Sequence, residues 1–255
     1  MKLNLSDKLN YSVKTKDGKE GHVVDFLFDE EKWKIRYLEV DMGGLFTNQR
    51  VLVPIELVSA GNWIDEVFKL SVTSKKLKKM PSIQSQQTVS RAMEAELAKH
   101  FKTEEYWGRR FIPSMAPPSM GVPKMVFEPL QSGRVPDKTV KEDDIQTNLR
   151  SFKEIQGYDV FTTSGKVGKV EDILIESKNM EIISIIIRAK YGLDYSKSVI
   201  IATNWLKEIS YVEQRIRISL HTDEVLSSPK FEESAPVNEK EVVKKFDYTG
   251  KPIQN

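Results

Sequence analysis

The chain contains no cysteine in its 255 residues. Disulfide staples and thiolate metal sites are therefore excluded, which suits a reducing compartment. It has no apolar run approaching the ~20 residues that a membrane-spanning helix needs. Its first residues, Met1-Lys2-Leu3-Asn4-Leu5-Ser6-Asp7, lack the apolar core of a secretion signal, so a cytoplasmic location is expected. Histidine is scarce. His22, His100 and His221 fall in different segments, without the spacing of a zinc site and without a strand–turn–helix nucleophile elbow. A surplus of one charge is also missing, with 39 basic and 37 acidic side chains. Residues 1–73 carry 10 basic and 12 acidic groups, and residues 151–228 carry 10 and 11. Only residues 74–150, with 14 and 9, are basic. A nucleic-acid module shows its basic face on its folded part, so nucleic acid is not the expected partner.

What the chain does have is a repeat. Residues 11–41 lie over residues 158–188 at a constant offset of 147, with 10 of 31 positions identical. The identities include Tyr11/Tyr158, Thr15/Thr162, Gly18/Gly165, Gly21/Gly168 and Asp25/Asp172. An internal repeat sets the architecture before any single element is assigned. Asp17-Gly18 and Ser164-Gly165 read as tight turns. Gly21 and Gly168 open the next strands, where glycine marks a bulge or a close backbone approach. Val23–Phe28 and Val170–Ile175 are the predicted strands that follow. Ile35–Val40 and Ile182–Ile187 come next, then Val51–Val53 and Val199–Ile201, now at offset 148. Phe68, Leu70 and Val72 alternate with polar residues, as do Ile216, Ile218 and Leu220, the pattern of a strand with one wet face.

Many short strands with glycine-bearing turns in about 70 residues read as a small closed barrel. The predicted organisation is mainly β: two small β-barrels in tandem, residues 1–74 and 151–228, and a charged tail, 229–255, expected to be flexible. Residues 75–150 form the connector. It holds a helix at about 90–101, capped by Ser90 with Met93, Leu97 and Phe101 on one stripe. A proline- and methionine-rich stretch expected to run extended follows, and a short helix at Glu239–Phe246 is expected in the tail.

These residues carry a resemblance. Gly21, Asp25, the apolar run after it, Tyr37-Leu38-Glu39-Val40-Asp41 and Arg50-Val51-Leu52-Val53-Pro54 resemble the PRC-barrel, over about residues 5–73 and more loosely 152–222. The two-copy layout, Trp33, Val89-Ser90-Arg91 and Tyr106-Trp107-Gly108 resemble bacterial tandem PRC-barrel proteins. The second copy departs from the pattern, with Ala202 in place of Pro54 and Ser184 in place of Tyr37. The resemblance implies a binding or scaffolding module without shared catalytic residues.

Asp25 and Asp172 are read as structural carboxylates that accept backbone N–H groups from the adjacent glycine turns. Gly18, Gly21, Gly165 and Gly168 are read as turn residues and not as phosphate loops, because a strand and not a helix follows them. Lys75, Lys76, Lys78 and Lys79 are read as a solvated hinge. Trp33, in a charged turn, and Tyr106-Trp107 are the candidate interaction residues. Trp63 and Trp205 are expected in the core. No enzyme activity, metal or cofactor is expected. The expected function is a protein-interaction scaffold, with another protein or a second copy of the chain as partner. The alternative is an RNA or ribosome-maturation module similar to RimM.

Overall fold

The computed structural model describes residues 2–43, 50–59, 66–80, 89–107, 147–191, 195–228 and 230–231. The proline-rich stretch, Trp63 and the helix expected at 239–246 lie outside these residues. The described residues fall in two compact units, one drawn from Met1–Thr88 and Asn148–Asn255, the other from Val89–Thr147.

The first unit holds both copies. Copy 1 contains β1 (Lys2–Asn4), β2 (Ser12–Lys14), β3 (Glu20–Asp29), β4 (Lys34–Asp41), β5 (Arg50–Pro54), β6 (Val67–Lys69) and the helix α1 (Ser74–Lys78). The second unit contains α2 (Arg91–Phe101). Copy 2 contains β7 (Leu149–Ser151), α3 (Phe152–Ile155), β8 (Asp159–Thr162), β9 (Gly165–Glu176), β10 (Glu181–Tyr191), β11 (Tyr195–Ala202), β12 (Leu206–Ser210), β13 (Arg215–Ile218) and α4 (Thr222–Ser227). In each copy a curled sheet closes on itself. β2 pairs in parallel with β6, as β8 does with β13. The chain leaving β5 bridges back to the β6 side at Val58↔Leu70, and β12 does the same beside β13. Phe26, Phe28, Ile35, Leu38 and Phe68 fill one interior, and Val160, Ile173, Ile175, Ile185 and Ile216 the other, all fully buried. The alternating strands therefore put their apolar face inward, while the run Ile182–Ile187 is enclosed almost throughout.

The two copies are not separate beads. All thirteen strands belong to one hydrogen-bonded sheet. β1 of copy 1 pairs with the end of β9 in copy 2, with Leu3 opposite Ile175. β7 of copy 2 pairs with the end of β3 in copy 1, with Arg150 opposite Phe28. Leu3 and Arg150 stand 147 apart, as do Phe28 and Ile175, so the exchange is reciprocal. The two long hairpins also meet tip to tip. The Ile182 N–H donates to the Trp33 carbonyl at 2.7 Å, and the Ile35 N–H to the Met180 carbonyl at 2.9 Å. Trp33 and Met180 both have left-handed backbones, φ 50° and 61°. A bulky residue is rarely found there, and here the reciprocal hydrogen bonds hold each one in place.

Candidate functional site

The seam between the copies gathers the recurrent polar residues. In β3 the pairing slips between Val23 and Asp25, and in β9 between Val170 and Asp172, so each aspartate follows a one-residue bulge. A bulge re-aims the next side chain. Here it turns each carboxylate under the strand arriving from the other copy, leaving Asp25 4% and Asp172 5% exposed. Asp172 Oδ1 accepts the N–H of Ser6 at 3.1 Å and of Ile173 at 2.7 Å, and Oδ2 accepts the Ser6 hydroxyl. Asp25 Oδ1 accepts the N–H of Lys153 at 3.0 Å and of Phe26 at 2.8 Å, and Oδ2 accepts the Ser151 hydroxyl. The donors are thus supplied across the seam and by the next residue, not by the glycine turns. Burial pushes Asp172 up to about 6, opposed by the Ser6 and Ile173 donors, and it pushes Asp25 upward in the same way.

A second lock joins the copies at one side. Arg150 makes a 2.6 Å ion pair with Glu30 and lies 4.2 Å over the Tyr211 ring, while the Tyr211 hydroxyl donates to Glu30 at 3.2 Å. Burial, and then the charge of Glu30, hold Tyr211 well above the usual phenol range. Tyr158 stacks edge-on against Tyr211 at 6.1 Å and is pushed up to about 12, mainly by burial.

The glycines act through backbone geometry. Gly18 and Gly165 have φ of 78° and 136°. Gly21 and Gly168 lie where β3 and β9 cross β4 and β10, and a Cβ there would drive into the Asp41 and Arg188 carbonyl oxygens. We expect Gly168→Ala to cost about 3 kcal/mol or more, because backbone must move. Gly18→Ala, in open space at φ 78°, should cost only about 1–2 kcal/mol of left-handed strain. Urea unfolding of both variants checks the order.

Trp33 is half-buried, its indole stacked on Phe28 with centroids 5.9 Å apart. Tyr106 and Trp107 belong to the second unit and are half-buried there, packed edge to face at 4.9 Å. Arg91 lies 4.8 Å over the Trp107 ring. Beneath them is Glu94, fully buried, which accepts the hydroxyls of Tyr106 and Thr147 and pairs with Arg91 at 3.0 Å. Sequence reading missed Glu94. The signal was present in the i, i+3, i+4, i+7 set Glu94, Leu97, Ala98 and Phe101, which is the stripe α2 buries; Met93 is only half-buried. Glu94 sits inside that stripe because three donors converge on it.

Ser164 Oγ stands 3.0 Å from His221 Nδ1. His221 is also the N-cap of α4, its backbone N–H donating to the Glu224 carboxylate at 2.7 Å in a capping box, so it serves the helix end. Among the described residues, no group of three or more histidine, aspartate and glutamate side chains is arranged to hold a metal ion. No helix among them is long and apolar enough to cross a membrane.

Lys75–Lys79 is no hinge. Ser74–Lys78 forms α1, whose Leu77 is fully buried. Its start is tied to the first turn by Asp17, which accepts the Ser74 N–H at 2.8 Å and the Ser74 hydroxyl at 2.6 Å. These bonds, with one from Thr15, hold the Asp17 carboxyl well below the usual range.

No curated protein sequence matches the chain. The exchanged strands, paired bulges and repeated turns coincide with what a family model recognises: the PRC-barrel domain matches residues 3–71 and again 148–225, and the chain belongs to that family, in two copies.

Proposed function

We propose that the chain is a non-enzymatic scaffold whose fused barrels and connector unit present surfaces to another protein. The reading is carried by the use of the recurrent carboxylates. Both oxygens of Asp25 and of Asp172 are engaged in joining the copies, so the duplicated polar chemistry goes into assembly and recognition falls to the outer surface. Membership of a family without shared catalytic residues supports it. Within this reading Trp107 and Tyr106 are the first anchors to test. Half-buried aromatics held by Arg91 and Glu94 are rigid, and rigid aromatics dominate interface energetics. Trp33 comes second, since its backbone already serves the seam.

The test is a pull-down with the full chain from lysate of the source organism, with and without nuclease. A defined protein partner that survives nuclease, and whose capture falls at least tenfold in Trp107→Ala at unchanged melting temperature, agrees with the proposal. Capture of ribosomal components that disappears with nuclease would put an RNA role, as in RimM, in its place.

A further inference from the structure

The outer rim of copy 1 carries a cluster of eight lysines, of which the same rim of copy 2 keeps only two basic counterparts, Lys166 and Arg217. Lys14 and Lys69 are register partners on the parallel strands β2 and β6, and both are exposed. Lys16 and Lys19 flank the turn whose Asp17 holds the start of α1, and both are exposed. α1 adds Lys75, Lys76 and Lys78, with Lys79 directly after it. Eight ammonium groups thus share one end of the barrel, against the carboxylates of Asp17 and of Glu20, which pairs with Lys14 at 3.0 Å.

Copy 2 is an internal control. It builds the same parallel pair, β8 with β13, the same turn and the same short helix, with Val225 as buried as Leu77. The positions matching Lys14, Lys16, Lys75 and Lys76 are Phe161, Thr163, Asp223 and Glu224. The fold therefore does not need lysine at this rim. Residues 1–80, which hold the whole cluster, carry 14 basic and 12 acidic groups, so eight lysines at one end exceed what a near-even balance would place there. The balancing acids lie elsewhere: Asp25 and Asp29 are buried, and Glu30 and Glu39 pair with Arg150 and Arg50.

We propose that this rim of copy 1 docks on an anionic phospholipid surface. Several features of the rim favour lipid over nucleic acid. Every cation is lysine, a hydrated point charge, and none is the forked arginine suited to base edges and bidentate phosphate. Among the described residues of this rim, no exposed aromatic stands to stack a base. A cluster of four to eight basic groups on a short helix and its flanks is the form in which proteins read acidic headgroups. Among the described residues no large apolar side chain is exposed at this end, so the contact is electrostatic and peripheral.

The test is co-sedimentation of the full chain with vesicles of phosphatidylcholine alone and with one third phosphatidylglycerol, at about 0.05 M and 0.5 M salt, where screening lengths differ several-fold. Binding is expected only to the anionic vesicles and only at low salt. Neutralising four exposed groups, Lys16→Gln, Lys19→Gln, Lys75→Gln and Lys79→Gln together, should weaken it by about a thousandfold. Lys166→Gln with Arg217→Gln, at the copy 2 counterparts of Lys19 and Lys69, should leave it unaltered. Equal binding to both vesicle types, or an unweakened quadruple variant with native circular dichroism, overturns the proposal. So does tight, salt-sensitive binding of duplex RNA with no vesicle binding. If the quadruple variant does not fold, the lipid and salt dependence of the unmodified chain decides. A failure here leaves the protein-partner reading to its own pull-down.

Discussion

Residues 1–80 and residues 148–231, produced separately, are expected not to fold as stable monomers, and to regain structure as a 1:1 complex when mixed. Copy 1 alone loses β7, and with it the partner of the end of β3. The Asp25 carboxylate then keeps only its Phe26 bond. Copy 2 alone loses β1 and both Ser6 donors to Asp172. Each half also loses its hairpin-tip bonds. Buried groups left without partners cost about 1–3 kcal/mol each. A fragment of some 80 residues has only about 4–12 kcal/mol to lose. The bare strand ends would also invite pairing with other chains. The exchange repeats at one register, so any folding of a single fragment should come with concentration-dependent dimerisation. Circular dichroism melts and size-exclusion chromatography of each fragment and of the mixture check this. A fragment that melts cooperatively as a monomer near the melting temperature of the whole chain would show that the exchange is not required.

The second large effect is expected at the paired carboxylates. Asp172→Ala strands the Ser6 hydroxyl and the N–H groups of Ser6 and Ile173, and should cost about 3 kcal/mol or more. Asp25→Ala should do the same through Ser151, Lys153 and Phe26. Asparagine keeps one acceptor oxygen for the two N–H groups, while its amide faces a hydroxyl able to accept, so Asp172→Asn should cost much less. The two variants should also separate by pH. Asp172 titrates near 6 in the fold against 3.8 for the ordinary group, so between those values the folded state holds the extra proton. Its contribution is full below about pH 3.8 and is lost as pH rises through 6, a change of about 3 kcal/mol. Asp25, also raised, acts in the same sense. The stability gap between the unmodified chain and Asp172→Asn should therefore shrink from pH 4 to pH 7.5, as read by urea unfolding. A gap independent of pH would mean that Asp172 titrates normally in the fold.

The barrels were legible because their signals are local. A turn glycine, an alternating strand and a repeated spacing each constrain a few neighbouring residues, and two copies at offset 147 reinforce one another. The structural role of Asp25 and Asp172 was legible too, since a carboxylate recurring within an apolar strand needs donors wherever it is buried. Which donors it takes was not. The two hydroxyls come from Ser6 and Ser151, and these are not equivalent: Ser6 matches Lys153, and Ser151 matches Asn4. The equivalent donors are backbone N–H groups, which leave no trace in residue identity. Glu94 was passed over for a related reason, since one of its partners, Thr147, is 53 residues away in the chain.

By itself, then, the sequence determined the duplication, the strand and turn content and the apolar interiors, all of which follow from short-range periodicity and backbone preference. Only the tertiary structure decided that the copies exchange their first strands, because many edges could have accepted them. It also decided where the lysines and carboxylates of copy 1 go. A sum over residues 1–73 counts Asp25 and Asp29, which fold inward, equally with Lys14, Lys16 and Lys19, which stay in water, and it stops one residue short of the helix that completes the basic rim.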